Sequence, residues 1–437
     1  MKFIEKLTEA VINKSSQIGV VGLGYVGLPL LLRFQEEGFP VTGFDNNKRS
    51  VAKLNEGISP IKHIPNEKIQ KLIQQESCSV TDDISKSYLC DVLIICLPTP
   101  LDKEDIPDLS YIESFLKSVS SFLREGQLIS LESTTYPGTT DEIISPFIEK
   151  LGFEIGENIF VAYSPEREDP GNLNYSTVSI PKLCSGQTIS CSKISKIVYE
   201  SVINEVVMVE STKVAEMAKL LENTYRAVNV GLINEMRIIA SALEIDIYEV
   251  IKAASTKPFG FTPYYPGPGL GGHCLPIDPI YLSWKAKQLG VSSDFIELAA
   301  KVNRSVPAQV VESLEKSLHE VGKDLEGKKI LIAGLAYKKN VDDARESPSY
   351  EIMDLLTKRG AIVDYSDPYI EVFPETRKYK FSKTSVEITQ NTLDDYDAVI
   401  LATDHDNFDL DLIQNQSQML IDTRGVCDKS LPNVKRL

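Results

Sequence analysis

The chain has 437 residues, 42% of them hydrophobic and 25% charged, with a formal net charge of −16. That length provides for two or three domains, each able to bury its own core. The negative balance argues against binding to nucleic acid or to an anionic membrane face, so an anionic ligand needs a local cationic pocket.

No apolar run reaches the roughly 18 residues that span a bilayer, and Met1 to Ser16 mixes Lys and Glu without the apolar core of a signal peptide. The seven cysteines fall at unrelated spacings with no C-x-x-C pair, as expected where thiols stay reduced, and the expected compartment is the cytoplasm. With only four histidines besides, no metal site is expected.

Gln17 to Val21 predicts a short apolar strand, followed at once by Gly22-Leu23-Gly24-Tyr25-Val26-Gly27 and a helix from Leu28 to Glu37. A second strand, Val41 to Phe44, ends at Asp45. Glycines at this spacing between a strand and a helix form the dinucleotide-binding turn. Gly22 permits the tight turn, Gly24 lets a pyrophosphate reach the backbone, and Gly27 lets helix and strand pack. The helix N-terminus faces the phosphates. Asp45 is placed to accept the adenosine ribose hydroxyls, which favours NAD over NADP, whose 2′-phosphate it repels.

Strands follow at Val92 to Leu97, Leu128 to Glu132 and Ile159 to Tyr163, most of them separated by helical segments. This alternation predicts a doubly wound parallel sheet, whose ligands sit at the carboxyl ends of the strands. Thr99, Thr134 and Glu166-Arg167 fall at such ends. Ordinary turn chemistry is the competing account, strongest for Thr99 and weakest for Glu166, because a Pro-Glu-Arg turn does not require a carboxylate.

From Ser211 the pattern changes. Val214, Met217, Leu221, Tyr225, Val228, Leu232, Met236, Ile239 and Leu243 recur at helical spacing over some thirty residues, a spine between two lobes. Lys219 and Asn223 lie one turn apart on it, either as paired functional groups or as a solvated outer face. Asp246 caps a further helix. Next comes Pro266-Gly267-Pro268-Gly269-Leu270-Gly271-Gly272-His273-Cys274-Leu275-Pro276-Ile277-Asp278-Pro279, too rich in Gly and Pro for helix or central strand. A helix starting near Pro276 puts Cys274 at a helix N-terminus, where thiolate is favoured. The stretch admits two readings, a nucleophile in a rigid loop or an inert buried cysteine. Helices then run from about Pro279 to His319.

A second α/β unit begins at Lys329 to Ala333 and Gly334, an echo of the first strand and its glycine with the later glycines missing. Lys338, Lys339 and Arg345 lie in the loop that follows, before a helix from Ser349. They suit a nucleotide diphosphate or are ordinary surface charge. Strands at Ile362 to Tyr365, Ala398 to Ala402 and Met419 to Asp422 complete the unit. The expected fold is α/β, with two Rossmann-like doubly wound domains joined by a long central helical segment. The expected boundaries are 1–205, 206–320 and 321–437.

With these pieces in place the chain resembles the nucleotide-sugar 6-dehydrogenases, the UDP-glucose/GDP-mannose dehydrogenase family, from about Ile18 to Val426. The resemblance rests on the Gly22 to Gly27 turn, Ser133-Thr134, Ser164-Pro165-Glu166-Arg167, Lys219 with Asn223, Gly271-Gly272-His273-Cys274 with Asp278, and Ala344-Arg345-Glu346-Ser347. The Gly-Gly-His-Cys form between its prolines most resembles the branch acting on UDP-N-acetylhexosamines, and within it the UDP-N-acetylglucosamine 6-dehydrogenases of bacterial surface-polysaccharide pathways such as O-antigen. It implies a four-electron oxidation at C6 with NAD, through a thiohemiacetal and a thioester on Cys274. It further implies oxyanion stabilisation by Lys219 and Asn223, a base or lysine-holding role for Asp278, and hydrolysis served by Glu166 with Thr134. Gly22, Gly24, Tyr25, Val26, Gly27, Asp45, Thr99, Thr134 and Arg345 are implied at the cofactor. Glu166, Arg167, Lys219, Asn223, Gly271 and Lys338 are implied at the UDP-sugar, and a homodimer or higher homo-oligomer is implied as the assembly. One departure stands out: many UDP-glucose dehydrogenases carry a second glutamate where this chain has Pro170, with Glu168 and Asp169 nearby. A two-electron hydroxyacid dehydrogenase, which needs no cysteine, and a non-catalytic nucleotide-sugar or NAD-binding regulator, which needs none of Lys219, Asn223, Cys274 and Asp278, are the competing classes.

Overall fold

The computed structural model describes residues 2–437 except 63, 168–177, 273 and 377, so Glu168, Asp169, Pro170 and His273 lie outside the described residues. The chain forms two compact units, Met1–Glu222 with Trp284–Gly290 and Asn223–Ser283 with Val291–Leu437.

The first unit holds an eight-stranded sheet: β1 (Ile18–Val21), β2 (Val41–Phe44), β3 (Cys78–Thr81), β4 (Val92–Ile95), β5 (Leu128–Leu131), β6 (Phe160–Tyr163), β7 (Lys182–Gly186) and β8 (Val206–Met208). Their order is β3-β2-β1-β4-β5-β6-β7-β8. Every pairing is parallel except β6 with β7. Ile18, Val20, Val92, Ile94, Leu128 and Phe160 are buried in one core, as in a parallel sheet covered on both faces. Each such side chain contributes about 1.5–3 kcal/mol on burial. The order reverses between β1 and β4, which opens a crevice at their carboxyl ends.

The second unit repeats this plan with five parallel strands: β9 (Lys329–Ala333), β10 (Ile362–Ser366), β11 (Ala398–Leu401), β12 (Leu420–Asp422) and β13 (Val434–Arg436). Their order, β10-β9-β11-β12-β13, again reverses beside the first strand. The expected strands are present within one or two residues. The short strands β3, β7, β8 and β13 were not anticipated, and β7 breaks the all-parallel expectation.

The central segment contains one helix of 31 residues, Thr212–Ala242, about 46 Å long. The division between the two units falls within it, after Glu222. The apolar stripe of this helix is not covered by the chain: Leu221, Leu232 and Leu243 are 60%, 57% and 63% exposed. The face that is buried carries Ala215, Glu216, Lys219, Leu220, Asn223, Ala227, Asn234 and Arg237. Lys219 and Asn223, at 4% and 1% exposure, are therefore not a solvated outer face. The polar side of the helix is the inner one. Among the described residues, no helix is long and apolar enough to cross a membrane.

Candidate active site

In the first unit the three glycines of the opening turn do three different things. Gly22 sits at φ +90°, and a Cβ there meets the carbonyl oxygen of Cys96 at 2.5 Å. Gly27 starts the helix Gly27–Glu36 so close to the turn that a Cβ falls 1.9 Å from the Gly22 oxygen. A Cβ on Gly24 meets nothing within 4 Å, although its neighbour Leu23 is buried. That open side of the backbone, before a helix with no side-chain cap, fits a pyrophosphate. Tyr25 and Val26 complete the turn, both partly buried. Asp45 accepts the Leu23 N–H at 2.9 Å through one oxygen and the Asn47 N–H at 2.8 Å through the other. The carboxylate is thereby fixed beside the turn, with lone pairs left for ribose hydroxyls.

The loops after β4 and β5 are joined. The Thr99 hydroxyl donates to the Thr134 carbonyl at 2.7 Å, and the Ser133 hydroxyl donates to the Leu97 carbonyl at 2.7 Å. Glu216 anchors the start of the long helix to the same region, accepting from the Gly138 N–H, the Thr140 N–H and the Thr140 hydroxyl at 2.5, 2.9 and 2.7 Å. Burial pushes its carboxyl up to about 7 against those three bonds. One turn further along, the Lys219 ammonium lies 3.8 Å from Glu166, which follows β6. Arg167 turns away to Glu222 at 2.7 Å and to the Pro181 carbonyl at 2.7 Å.

In the second unit the cysteine loop is shaped by close packing. Gly269 and Gly272 sit at φ +138° and +83°. A Cβ on Gly271 meets the Tyr337 Cβ at 2.4 Å, and the Gly272 N–H donates to the Arg345 carbonyl at 2.9 Å. The loop thus lies against the segment after β9 that carries Lys338. Gly271 is required there by Tyr337, whatever it does for a ligand. The Cys274 carbonyl accepts from the N–H groups of Ile277 and Asp278 at 3.1 and 2.8 Å. The helix itself is Asp278–Gln288, so it starts two residues later than expected, and a single turn separates it from the cysteine. Asp278 is buried and accepts from the Asn223 amide at 2.5 Å, while the Asn223 carbonyl oxygen accepts from Arg226 at 2.6 Å.

Cys274, like Cys96, differs from the five buried cysteines. Burial pushes the thiols of Cys90, Cys184 and Cys427 up to about 12, which removes them as nucleophiles near neutral pH. Cys274 is only partly buried. The cationic loop is less available than its composition suggests. Lys339 is paired with Asp406 at 2.7 Å, and Arg345 is forked onto Asp343 at 2.6 Å. Glu216, Arg226 and Tyr337 were missed from the sequence. Glu216 and Arg226 each stand three residues from a candidate (Lys219 and Asn223), a spacing that helical periodicity exposes.

Three family descriptions match in chain order. They are the NAD binding, central and UDP binding domains of the UDP-glucose/GDP-mannose dehydrogenase family, over residues 16–203, 213–305 and 331–429. A UDP-N-acetyl-D-glucosamine 6-dehydrogenase of Pseudomonas aeruginosa is 35% identical over 90% of this chain and 92% of its own. A UDP-N-acetyl-D-mannosamine dehydrogenase of Pyrococcus horikoshii is 31% identical over 90% of each chain. A solved UDP-D-ManNAc dehydrogenase structure from Pyrococcus horikoshii superposes with a TM-score of 0.85 at 29% identity, covering 96% of this chain and 98% of that one. The glycine turn with its fixed aspartate, the cysteine loop packed against a second Rossmann-like unit, and these matches lead to one conclusion: the chain belongs to the UDP-glucose/GDP-mannose dehydrogenase family and is an NAD-dependent nucleotide-sugar dehydrogenase.

Proposed function

We propose that the chain oxidises the C6 alcohol of a UDP-N-acetylhexosamine, UDP-N-acetylglucosamine first among them, to the uronic acid in two steps. The observation that carries this reading is the turn at Cys274, closed by the Asp278 N–H, with the Asp278 carboxylate held by Asn223. NAD, when bound, is the two-electron acceptor for each step. After the first, the Cys274 thiolate adds to the C6 aldehyde to form a thiohemiacetal; oxidation of this adduct gives a thioester, and water releases acid and thiol. Lys219 and Asn223 stabilise the oxygen charge at C6. Asp278 orients Asn223 and accepts a proton through water, while Glu166 with Thr134 activates the hydrolytic water. The functional division we infer is cofactor domain 1–205, cysteine-bearing helical domain 206–320 and UDP-sugar domain 321–437. Arg167, Gly271 and Lys338 are assigned to the sugar nucleotide, and Thr99 and Arg345 to the cofactor side.

The choice of sugar follows the 35% identity to a UDP-N-acetyl-D-glucosamine 6-dehydrogenase, and the mannosamine relatives supply the second reading. NADH formation with UDP-N-acetylglucosamine, UDP-N-acetylmannosamine, UDP-N-acetylgalactosamine and UDP-glucose in parallel tests it. Turnover of UDP-glucose alone sinks the N-acetylhexosamine reading. A cytoplasmic enzyme of surface-polysaccharide synthesis, such as O-antigen, fits this product. The uncovered stripe at Leu221, Leu232 and Leu243 supports a homodimer, because a large exposed apolar face marks an interaction site. Sedimentation at the mass of one chain rejects that assembly.

Two results are expected here. Asp45→Ala narrows the preference for NAD over NADP by about tenfold or more, because the carboxylate repels the 2′-phosphate. Wild-type enzyme that used both cofactors equally well refutes that role. Lys338→Ala weakens UDP-sugar binding about tenfold, the loss of one charge-assisted phosphate contact, and leaves NAD affinity unchanged. Calorimetry showing unaltered UDP affinity makes Lys338 ordinary surface charge.

A further inference from the structure

Glu166 has a charged pair behind it. Strand β5 ends one residue before Glu132, and β6 ends three residues before Glu166. Because β7 runs antiparallel to β6, its first residue, Lys182, comes to the same carboxyl edge of the sheet. A parallel β7 would carry Lys182 to the opposite edge. The Lys182 ammonium lies 2.9 Å from Glu132, with the two side chains 10% and 1% exposed, and 5.0 Å from the centre of the Tyr199 ring. Glu132, Lys182, Glu166 and Arg167 line one cavity of about 30 Å³ with Val26 of the glycine turn. That space is enough for a water molecule.

The pair is poorly explained as a stability device. Burying two opposite charges costs about as much as their attraction returns. Among the described residues the second oxygen of Glu132 is buried with no hydrogen-bond partner, which adds a further cost. What the pair does provide is a fixed positive charge on the wall of the cavity that Glu166 also lines. Burial pulls Lys182 down, yet the charge and hydrogen bond of Glu132 hold it above the ordinary lysine value, with Glu166 and then Cys96 adding to this. Charges therefore alternate from Glu132 through Lys182 and Glu166 to Lys219, which is 3.8 Å from Glu166.

We propose that Lys182, held by Glu132, is a positioning residue that acts together with Lys219 to fix the Glu166 carboxylate. This rests on the assignment of Glu166 to the hydrolytic water. Among the described residues the titratable groups around Glu166 are Lys219 from the long helix, Lys182 from β7, Glu132 after β5, Arg167 beside it (already tied to Glu222), and Cys96 after β4 within the field of Lys182.

The test is the pH dependence of uronic acid release at saturating substrate, for wild type, Lys182→Met, Glu132→Gln, the double variant and Glu166→Gln. Removing the Lys182 charge makes ionised Glu166 harder to form, so the acid limb moves to higher pH by roughly half a unit to one unit. Removing the Glu132 charge leaves Lys182 to Glu166 alone, so the limb moves to lower pH. The double variant returns it close to wild type. A merely structural pair lowers the rate without moving the limb in opposite directions, and that result in folded variants overturns the inference. Where Lys182→Met fails to fold, because Glu132 is left buried alone, Glu132→Gln and the double variant carry the same test. Loss of release in Glu166→Gln with an unmoved limb in the other variants defeats this inference alone. Wild-type release by Glu166→Gln defeats the Glu166 assignment and this inference with it.

Discussion

A Cys274→Ser enzyme is expected to lose uronic acid formation by about 10³-fold or more while keeping the first oxidation. Wild type should yield two NADH per sugar, because the aldehyde is carried to the acid on the enzyme. Serine retains the size of the side chain, and the backbone bonds that shape the turn, from Ile277 and Asp278 to the carbonyl at position 274, do not involve the sulfur. Asp278 is assigned to accept a proton only through water, and the intrinsic acidity of a serine hydroxyl is far too low to supply an oxyanion near neutral pH. The variant therefore stalls after one oxidation, with NADH approaching one equivalent per enzyme and aldehyde retained or held as a slow adduct that intact-protein mass spectrometry detects. None of the buried thiols raised to about 12 can substitute for it. Release of acid and two NADH at wild-type speed would refute the covalent mechanism and leave the glycine-rich loop as scaffold.

The dinucleotide turn was legible because its determinants are local. Gly22, Gly27 and Asp45 lie within 24 positions of one another, and backbone geometry alone dictates what each must do. The positive φ of Gly22 and the 1.9 Å approach at Gly27 are what a strand-turn-helix with that spacing requires. Periodicity likewise located the long helix to within a residue at each end. It could not say which face is covered, since coverage depends on partners far along the chain. On this helix the inner face took Lys219, Asn223 and Arg237 and the outer one Leu221, Leu232 and Leu243, against the usual trend.

Charge was the least legible property. Lys339 and Arg345 look like ligand-binding cations in the sequence, but Asp406 and Asp343 occupy them in the fold. The first of these partners lies 67 residues away and arrives only because β11 sits next to β9. Lys182 was invisible for a related reason. Its contact with Glu132 spans 50 residues and depends on a five-residue strand whose antiparallel direction no local pattern announces. Helix starts shifted by a residue or two for an ordinary reason: proline tolerates a first turn without fixing it, so Pro276 permits a start that the Cys274 carbonyl instead resolves as a single turn.

Lys219→Met should be the second severe variant, and it should fail at a different stage from Cys274→Ser. The ammonium is buried at 4% exposure and 3.8 Å from Glu166, so it is held without the freedom of a surface lysine. Preorganised positive charge of this kind stabilises an oxygen that gains charge in the transition state, and removing one such donor costs about 10²–10³ in kcat. Oxygen charge develops at C6 in the alcohol oxidation as well as in the later acyl steps. Loss of Lys219 should therefore suppress the first NADH as strongly as the second, with KM for the UDP-sugar changed far less than kcat. Lys219→Arg should not restore the rate, because a planar guanidinium neither fits the space of an ammonium nor presents the same point charge. Methionine keeps the apolar volume but leaves Glu166 without one of its cations, so thermal unfolding is measured alongside to separate misfolding from lost catalysis. A folded Lys219→Met enzyme that gave a full first equivalent of NADH at wild-type speed would remove Lys219 from the oxidation steps and leave its contact with Glu166 as its only role.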